Sequence, residues 1–454
     1  MKRKNKEQQK ITKNSGKIVY AIAIMLLIIW TFRIDLINMD DTFTLRMLHH
    51  SILEIVRLDS LDVHPPLYYI VLKIFFNATF VIHASPYIQI IMGRLFNALI
   101  FIITLNVMRD VLSKLTYQRF SFMFLFLVIL FPTVVWHSTG IRMYSLSALF
   151  IACELNAIIN YNQKQHLKDL VFATIFAALG AWTHYFTAVI AGLLLFYNFI
   201  AEKHKRLHYL ISGVAFFLLF VPWLKVLMQQ ITSVKQHYWI KNCPEEYFGA
   251  FIYRKLADVL NGGFLACCFS VFFLICLTYI AFKTLKNFCF EFRKYYVMIT
   301  IILFGTIFIG LMLSILVRPI FEGRYVYGIS LIYFVMNLPL IAEYFTSRTE
   351  NKTSIFIKSC MLILICVGVM TNLLFGVFYD LKGVKIYRNM QQIRYSSEKV
   401  IDSSHDPSAV ALMDSFLVQN KTFTTKNYRE LSNTCQSMRL FKIIYPNIEN
   451  SYKR

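Results

Sequence analysis

A stretch near the start of the chain gathers the side chains that acid–base chemistry uses. Residues 38–69, NMDDTFTLRMLHHSILEIVRLDSLDVHPPLYY, contain five acidic residues, three histidines and a Pro-Pro pair. Asp40 and Asp41 come first, directly after a long apolar segment. Carboxylates suit the activation of a hydroxyl or amine acceptor by proton removal. The same pair would also cap a helix formed by the residues that follow, so on its own it supports either interpretation.

Further polar side chains lie next to apolar runs later in the chain. They are His64 in DVHPP, Arg142 and Tyr144 in RMYSL, His184 in THYF and Arg324 in EGRY. A charge or an imidazole beside an apolar run is costly unless it is paired or functional. Arginine can bind a phosphate in bidentate fashion and neutralise a phosphate leaving group. Carboxylates together with arginines therefore indicate transfer of a group from a phosphate-bearing donor.

Several of these residues also have a structural explanation. Asp62 would cap a helix that begins near Pro65, because proline is favoured in the first helical turn. Arg142 would extend from its apolar segment towards the membrane surface. Arg324 would pair with Glu322, two residues earlier. Both explanations stay open for each residue at this point, and histidines in such positions are more often structural than catalytic.

The composition is that of a membrane protein that crosses the bilayer several times. The 454 residues are 57% hydrophobic and only 16% charged, whereas soluble domains carry roughly 25% charged residues. Lys and Arg, which give a net charge of +22, fall mostly in short loops between apolar runs. That distribution is typical of positive-inside topology and shows no basic stripe for nucleic acid. We therefore expect contact with membrane lipids and none with nucleic acid.

Apolar runs of about twenty residues predict about eleven transmembrane helices, with the N-terminus in the cytoplasm. The predicted spans are 18–37, 87–108, 120–136, 144–159, a block at 169–200 that crosses twice by turning at 183–186, 209–228, 260–282, 297–316, 325–344 and 355–378. Arg94, inside the second span, is expected to pair with an acid of the first outer loop. Residues 64–82, broken by Lys73 and Asn77, predict an interfacial helix.

This organisation divides the chain into three parts. Residues 1–17 form a basic cytoplasmic tail, and residues 18–379 form a transmembrane domain whose first outer loop, 38–86, carries the acidic stretch. Residues 380–454 are polar with short alternating stretches, which predicts a small α/β segment outside the membrane. No Cys/His spacing typical of a metal site occurs.

The motifs, in their order, resemble those of a known group of enzymes. An acidic pair after the first span, D-x-H-P-P-L-Y-Y, R-M-Y-S-L, T-H-Y-F and a late G-R-Y are similar to the membrane glycosyltransferases of the GT-C type. Within that group the chain resembles the bacterial relatives of protein O-mannosyltransferases and the lipid A aminoarabinose transferase. The resemblance covers residues 18 to about 345 and is strongest over 40–69 and 142–146. It implies an all-α polytopic membrane fold with interfacial helices in the first outer loop and a small extracytoplasmic C-terminal segment.

The resemblance also implies an activity. A sugar would pass, with inversion, from a polyprenyl-phosphate donor to a protein, lipid or glycan acceptor at the outer face of the cytoplasmic membrane. The family's first-loop acid is the catalytic base. That role falls on Asp40, with Asp41 in support where the family has Glu. The substrate- or donor-phosphate-binding residues would be Asp62, His64, Arg142, Tyr144, His184 and Arg324. No cofactor is implied, and a divalent cation on the first-loop carboxylates stays open.

Two other functions fit the same membrane domain. A transporter or flippase for lipid-linked sugars should carry polar residues or Gly/Pro breaks in the middle of several spans. Here the charges gather at the outer ends and in one long acidic loop, which favours the enzyme. A polymerase or ligase of a cell-surface glycan would differ from the transferase only in its acceptor.

Overall fold

The long apolar runs of the sequence fold as α-helices. The computed structural model describes residues 17–18, 20–32, 39–118, 120–131, 133–236, 263–316, 318–347, 351–371 and 373, together with 399–400, 416, 423–425, 428, 435 and 437–450. In chain order the helices are α1 Tyr20–Phe32, α2 Met39–Met47, α3 Ile52–Asp59, α4 Leu67–Ala78, α5 Pro86–Thr116, α6 Phe122–Phe126, α7 Val134–Thr139, α8 Tyr144–Lys164, α9 Leu167–Thr183, α10 Tyr185–Ala201, α11 Arg206–Gln236, α12 Gly263–Thr284, α13 Phe290–Leu316, α14 Tyr327–Thr346, α15 Lys352–Thr371 and α16 Met438–Ile444.

Six of these helices, α5 and α11–α15, are long and apolar enough to cross a membrane, so the chain is a multi-pass membrane protein. The predicted block 169–200 does fold as two helices, α9 and α10, of 17 residues each. They are separated at His184, whose backbone is extended at φ −161° and ψ 139°. The total of about eleven crossings and the side of the membrane on which each end lies stay predictions.

The predicted span at 120–136 is not one continuous helix. It consists of α6, the 3-10 helix Leu127–Leu130 and the first residues of α7. Phe131, which follows the 3-10 helix, has an extended backbone at φ −70° and ψ 137°. It precedes a proline in the sequence, and the proline ring disfavours helical geometry in the residue before it. The periodicity of the apolar run did not reveal this break.

The acidic loop after α1 contains three short helices. Ser51 caps α3: its hydroxyl accepts the Glu54 N–H, and the Glu54 carboxylate accepts the Ser51 N–H in return. Helix α4 has 12 residues, a length of roughly 18 Å that is too short to cross a bilayer. Its N-cap is Pro66, without a side-chain cap, so the expected capping by Asp62 does not occur.

Helix α8 lies at the centre and packs against α5, α9 and α14. Gly328 lets α14 approach closely, since a Cβ atom there would lie 2.7 Å from Ile151 Cδ1 of α8. Gly93 of α5 does the same for Ile141, whose Cδ1 would be 3.0 Å from an added Cβ. These two approaches bring the segment before α8 and the segment before α14 next to the first loop.

The outer helices present apolar side chains outwards. On α11 the exposed residues include Leu210, Ile211, Val214, Phe217 and Leu218. Such a surface suits hydrocarbon chains rather than water. Helix α14, in contrast, is the most deeply buried of the six long helices, and it therefore serves as a core element that positions the residues at its start.

The described part of the C-terminal region contains both strands and a helix. Strands β1 Lys399–Val400, β2 Phe423–Thr425 and β3 Ile448–Asn450 form a parallel sheet in the order β1-β2-β3. Helix α16 begins after Ser437, whose hydroxyl accepts the Leu440 N–H at 3.1 Å. The described residues of this region thus include both strands and a helix. The separate C-terminal segment stays a prediction, and the boundary predicted at 380 lies outside the described residues.

Candidate active site

Asp40 and Asp41 occupy the first turn of α2, where the helix dipole favours negative charge. Successive helical residues point about 100° apart, so the two carboxylates enter different surroundings. The side chain of Asp40 is 27% exposed, while that of Asp41 is 1% exposed. The pair therefore separates into one accessible and one buried carboxylate.

Asp41 connects α2 to α5 and to the segment before α8. Its Oδ1 accepts the Ile141 N–H at 2.9 Å, and its Oδ2 lies 3.6 Å from Arg94 Nη2. Arg94 in turn donates to the Trp30 carbonyl at 3.3 Å. The expected pairing of Arg94 with a first-loop acid is thus confirmed. The buried ion pair joins the acidic loop to α1, to α5 and to the segment before α8.

Asp40 forms the second ion pair of this turn. Arg324 Nη1 donates to Asp40 Oδ2 at 2.7 Å, and Arg324 Nε lies 2.6 Å from Glu322 Oε2. The local pair with Glu322 expected from the sequence is therefore present, and the pair with Asp40 exists beside it. Arg324 is fixed by two carboxylates, yet 22% of its side chain remains exposed.

Arg142 is buried just before α8 and is only partly satisfied. Its Nη1 donates to the Tyr69 hydroxyl at 3.1 Å and lies 3.5 Å from Thr44 Oγ1. Its Nε has no hydrogen-bond partner. A buried guanidinium N–H without an acceptor is rare in folded proteins. Arg142 consequently has hydrogen-bonding capacity left for an anionic ligand.

These side chains meet at one cleft. The first loop contributes Met39, Asp40, Phe43, Asp62, Val63 and His64, the segments before α8 and α14 contribute Arg142, Arg324 and Tyr325, and the C-terminal region contributes Cys435 and Tyr445. Of the predicted site residues, Asp40, Asp62, His64, Arg142 and Arg324 thus line the same space. Asp41, Tyr144 and His184 lie outside this lining.

Burial alters the protonation of the acids around the cleft. It raises the pKa of Asp62 to about 6, an effect that the nearby charge of Arg142 partly offsets. Asp59 is completely buried behind it, and neither of its carboxylate oxygens has a hydrogen-bond partner. Burial and the charge of Asp62 raise the pKa of Asp59 well above its ordinary value. Burial therefore favours the neutral form of the Asp59 carboxyl.

His64 and His184 form a stacked pair with ring centroids 5.5 Å apart. His184 Nδ1 accepts the Phe186 N–H at 3.2 Å and so caps α10, which leaves the proton on Nε2 of the neutral ring. Burial lowers the pKa of His184 to about 3 and that of His64 well below its ordinary value, with Arg142 adding to both shifts. Both imidazoles are therefore neutral hydrogen-bonding groups.

Tyr144 packs behind this histidine pair. Its ring centroid lies 6.0 Å from that of His184 and 5.5 Å from that of His137. Its hydroxyl is buried without a hydrogen-bond partner. Tyr144 and His184 therefore support the residues that line the cleft.

Within the described part of the chain, no group of three or more His, Cys, Asp or Glu side chains is arranged to hold a metal ion. Of the acids, Asp40 and Asp62 are the two that face the cleft. A cation entering it would meet these two carboxylates together with two arginines.

Sequence reasoning missed several cleft residues. Tyr325, which lines the cleft, is the last residue of the GRY motif and could have been inferred from it. Tyr69, the last residue of HPPLYY, could have been inferred in the same way, although it accepts a hydrogen bond from Arg142 without lining the cleft. Cys435 and Tyr445 carry no such signal, because they reach the cleft from the other end of the chain.

Comparison with known proteins identifies the fold. No family model matches the sequence, and no curated protein matches it. The crystal structure of ArnT from Cupriavidus metallidurans in the apo state matches with 12% identity and a TM-score of 0.55, over 98% of this chain and 90% of that one. The structure of the same protein bound to undecaprenyl phosphate matches with 11% identity and a TM-score of 0.55, over 96% and 89%. The expected resemblance to the GT-C group is confirmed at the level of the fold.

Proposed function

We propose that this chain is a GT-C membrane glycosyltransferase that moves a sugar from a polyprenyl-phosphate donor to an acceptor. The observation that carries the proposal is the pair of Asp40 and Arg324 at an open cleft. The pair lies in a chain that shares the ArnT fold over 98% of its length. One of the two matching ArnT structures holds undecaprenyl phosphate, which supports a polyprenyl phosphate as the ligand here.

The arginines would bind the phosphate of the donor. Arg142 has an N–H without a partner, and Arg324 is partly exposed beside it. Guanidinium groups suit phosphate because they present several N–H donors in one plane. They would also stabilise the negative charge that gathers on the phosphate as the sugar leaves. His64, which is neutral, offers a further hydrogen bond to the phosphate or to a sugar hydroxyl.

Asp40 would act as the base. It accepts the proton of the acceptor hydroxyl while that oxygen forms its bond to the anomeric carbon. The bond between the anomeric carbon and the phosphate oxygen breaks in the same step, and the polyprenyl phosphate leaves with the electron pair. A single displacement of this kind inverts the anomeric configuration. Arg324 holds Asp40 in an ion pair at 2.7 Å, and Asp41 supports it by holding α2 in place.

We place the reaction at the outer face of the cytoplasmic membrane, with the N-terminus inside and the C-terminal region outside. The acceptor is a protein, a lipid or a glycan of the cell envelope. The topology can be tested separately from the chemistry. In intact cells, Asn420→Cys should react with a membrane-impermeant maleimide above the wild-type background. Reaction only after permeabilisation would contradict the assigned topology.

The activity itself is tested with Asp40→Asn. Membranes containing the full chain receive a radiolabelled undecaprenyl-phosphate sugar, and transfer to the endogenous acceptor is measured. We expect the rate to fall by about 100-fold to 10,000-fold, as for loss of a general base, while undecaprenyl phosphate still binds. Asp110→Asn, at an exposed carboxylate on α5, is the matched control and should transfer at the wild-type rate. Near wild-type transfer by Asp40→Asn would exclude Asp40 as the base.

A further inference from the structure

The C-terminal region is part of the cleft. Cys435 and Tyr445, which we call the C-terminal wall, line the same space as Asp40, Arg142 and Arg324. They come from a part of the chain that the membrane domain does not need in order to cross the bilayer. Their presence beside the reacting groups therefore calls for a role in the reaction.

The C-terminal wall is firmly held. The hydroxyl of Tyr445, which is 1% exposed, lies 3.3 Å from Thr42 Oγ1 of α2. The ring of Tyr445 also packs on Phe441 of α16, with centroids 5.5 Å apart. A second contact also joins α2 to the C-terminal region, since Arg46 Cζ of α2 lies 5.9 Å from the ring centroid of the buried Phe416. The wall thus contacts α2 at Thr42, two residues after Asp40.

The lining falls into two chemical sets. The segments before α8 and α14 supply two guanidinium groups, which suit a phosphate. The C-terminal wall supplies a thiol and a phenol, and burial raises the pKa of Tyr445 further above its ordinary value. Met39 and Phe43 of α2 add apolar side chains to the lining of the same cleft. This set carries no charge, so it offers little to an anion but suits hydroxyl groups and the C–H faces of a sugar or lipid.

We propose that the C-terminal wall is the acceptor-binding side of the cleft and selects an acceptor whose reacting end is an uncharged hydroxyl. The inference rests on the proposed function. In a single displacement the acceptor approaches the anomeric carbon from the face opposite the leaving phosphate. Because we assign the phosphate to the arginines, we assign the acceptor to the uncharged wall that lines the same cleft as Asp40.

The test is to add volume to the wall without changing charge. Cys435→Phe in the full-length protein should lower sugar transfer about tenfold or more, because added volume excludes the acceptor. Binding of undecaprenyl phosphate, followed by native mass spectrometry, should stay within about twofold of wild type, which corresponds to about 0.4 kcal/mol. Arg324→Ala, in contrast, should reduce the affinity for undecaprenyl phosphate about tenfold or more. Cys268→Phe, at an exposed cysteine of α12, is the matched control and should leave both measurements unchanged.

The outcomes separate the two proposals. The wall assignment is overturned if Cys435→Phe weakens undecaprenyl phosphate binding as strongly as Arg324→Ala, or if it transfers sugar as well as Cys268→Phe does. Cys435→Met, a smaller change, gives the same test if the Phe variant does not fold, with folding followed by thermal melting. If the wild-type protein neither binds undecaprenyl phosphate nor transfers sugar, the proposed function fails and the wall assignment fails with it.

Discussion

Polar clusters lie at both ends of α8, separated by about 30 Å along the helix axis. The cleft cluster consists of Asp40, Asp62, Arg142 and Arg324 near the start of α8. The Asn162 cluster lies near its end and consists of Asn162, Asn198, Lys205, Tyr209 and Tyr295. Both are built from polar side chains in an apolar protein, but they differ in how completely their hydrogen bonds are made.

In the Asn162 cluster the central amide is fully used. Asn162 Nδ2 donates to Asn198 Oδ1 and to the Tyr295 hydroxyl, each at 3.0 Å. Its Oδ1 accepts from the Tyr209 hydroxyl at 2.8 Å, and its carbonyl accepts from Lys205 Nζ at 2.9 Å. These bonds connect α8, α10, α11 and α13. The cluster is therefore structural, since every donor and acceptor of the central amide has a partner inside the protein.

The cleft cluster leaves bonds unmade. Arg142 Nε has no partner, and both Asp59 oxygens behind the cleft have none. Leaving a buried polar group unsatisfied costs about 1–3 kcal/mol, so each such group needs an explanation, and for Arg142 at the cleft a bound anion would supply one. Arg142 thus differs from Asn162 because it keeps an N–H without a partner inside the protein, although buried polar atoms without partners, such as Asn160 Oδ1, also occur outside the cleft.

The first turn of α2 likewise contains one buried, paired acid, Asp41, and one partly exposed acid, Asp40. Of the substitutions considered, Asp41→Asn should lower the stability most. Asp41 is buried against Arg94, and removing one member of a buried ion pair costs about 3–5 kcal/mol. We expect a clear drop in the melting temperature of the purified protein in detergent. Asp40→Asn, one residue earlier and 27% exposed, should melt close to wild type. Equal melting temperatures for the two variants would contradict the assignment of a structural role to Asp41 and a catalytic role to Asp40.

Arg142→Met should give the next largest effect, this time on rate. Losing one group that stabilises the leaving phosphate costs about 100-fold to 1,000-fold, or roughly 2.7–4 kcal/mol. The matched change at the other end of α8 is Lys205→Met, which removes a cation from the Asn162 cluster and should not alter the rate per folded molecule. The readout is sugar transfer from the undecaprenyl-phosphate donor. Similar rate losses in both variants would mean that the loss in Arg142→Met comes from a general disturbance of the structure around α8 and not from a missing phosphate contact.

The sequence already indicated the part of the site that motifs encode. Asp40, Arg142 and Arg324 were expected in one polar cavity that combines carboxylates with cations, and all three line one cleft. The different burial of Asp40 and Asp41 was not predictable from the sequence. It depends on Arg94 and on the Ile141 N–H, 100 residues away in the chain.

The sequence also could not predict contacts between residues that are far apart in the chain. Thr42 meets Tyr445 across 403 residues, and nothing in the local composition of either segment indicates that contact. The break at Phe131 was missed for another reason: the apolar run continues through it, and only the restriction that a following proline imposes on the backbone marks it.

Asn162→Ala should give a smaller effect, confined to stability. The substitution leaves the Tyr209 hydroxyl and the Asn198 amide oxygen without their partner, at a cost of about 1–3 kcal/mol. We expect a lower melting temperature together with an unchanged rate per folded molecule, measured after quantifying the folded fraction. A rate loss as large as that of Arg142→Met would contradict the assignment of this cluster to structure alone.

The smallest effect should come from the titration of Asp62. Its pKa, raised by burial to about 6, means that the carboxyl is neutral below pH 6 and charged above it. A charged Asp62 beside the cleft would repel the donor phosphate and reduce the pull of Arg142, so the Michaelis constant for the donor should rise severalfold, at most about tenfold, between pH 5 and 7. Because the donor phosphodiester has no proton to lose in this range, unlike a phosphate monoester with a second pKa of about 6, the change reports on the protein. Asp62→Asn should remove the pH dependence and keep the low-pH value, whereas a slope that survives this substitution would assign the titration to another group.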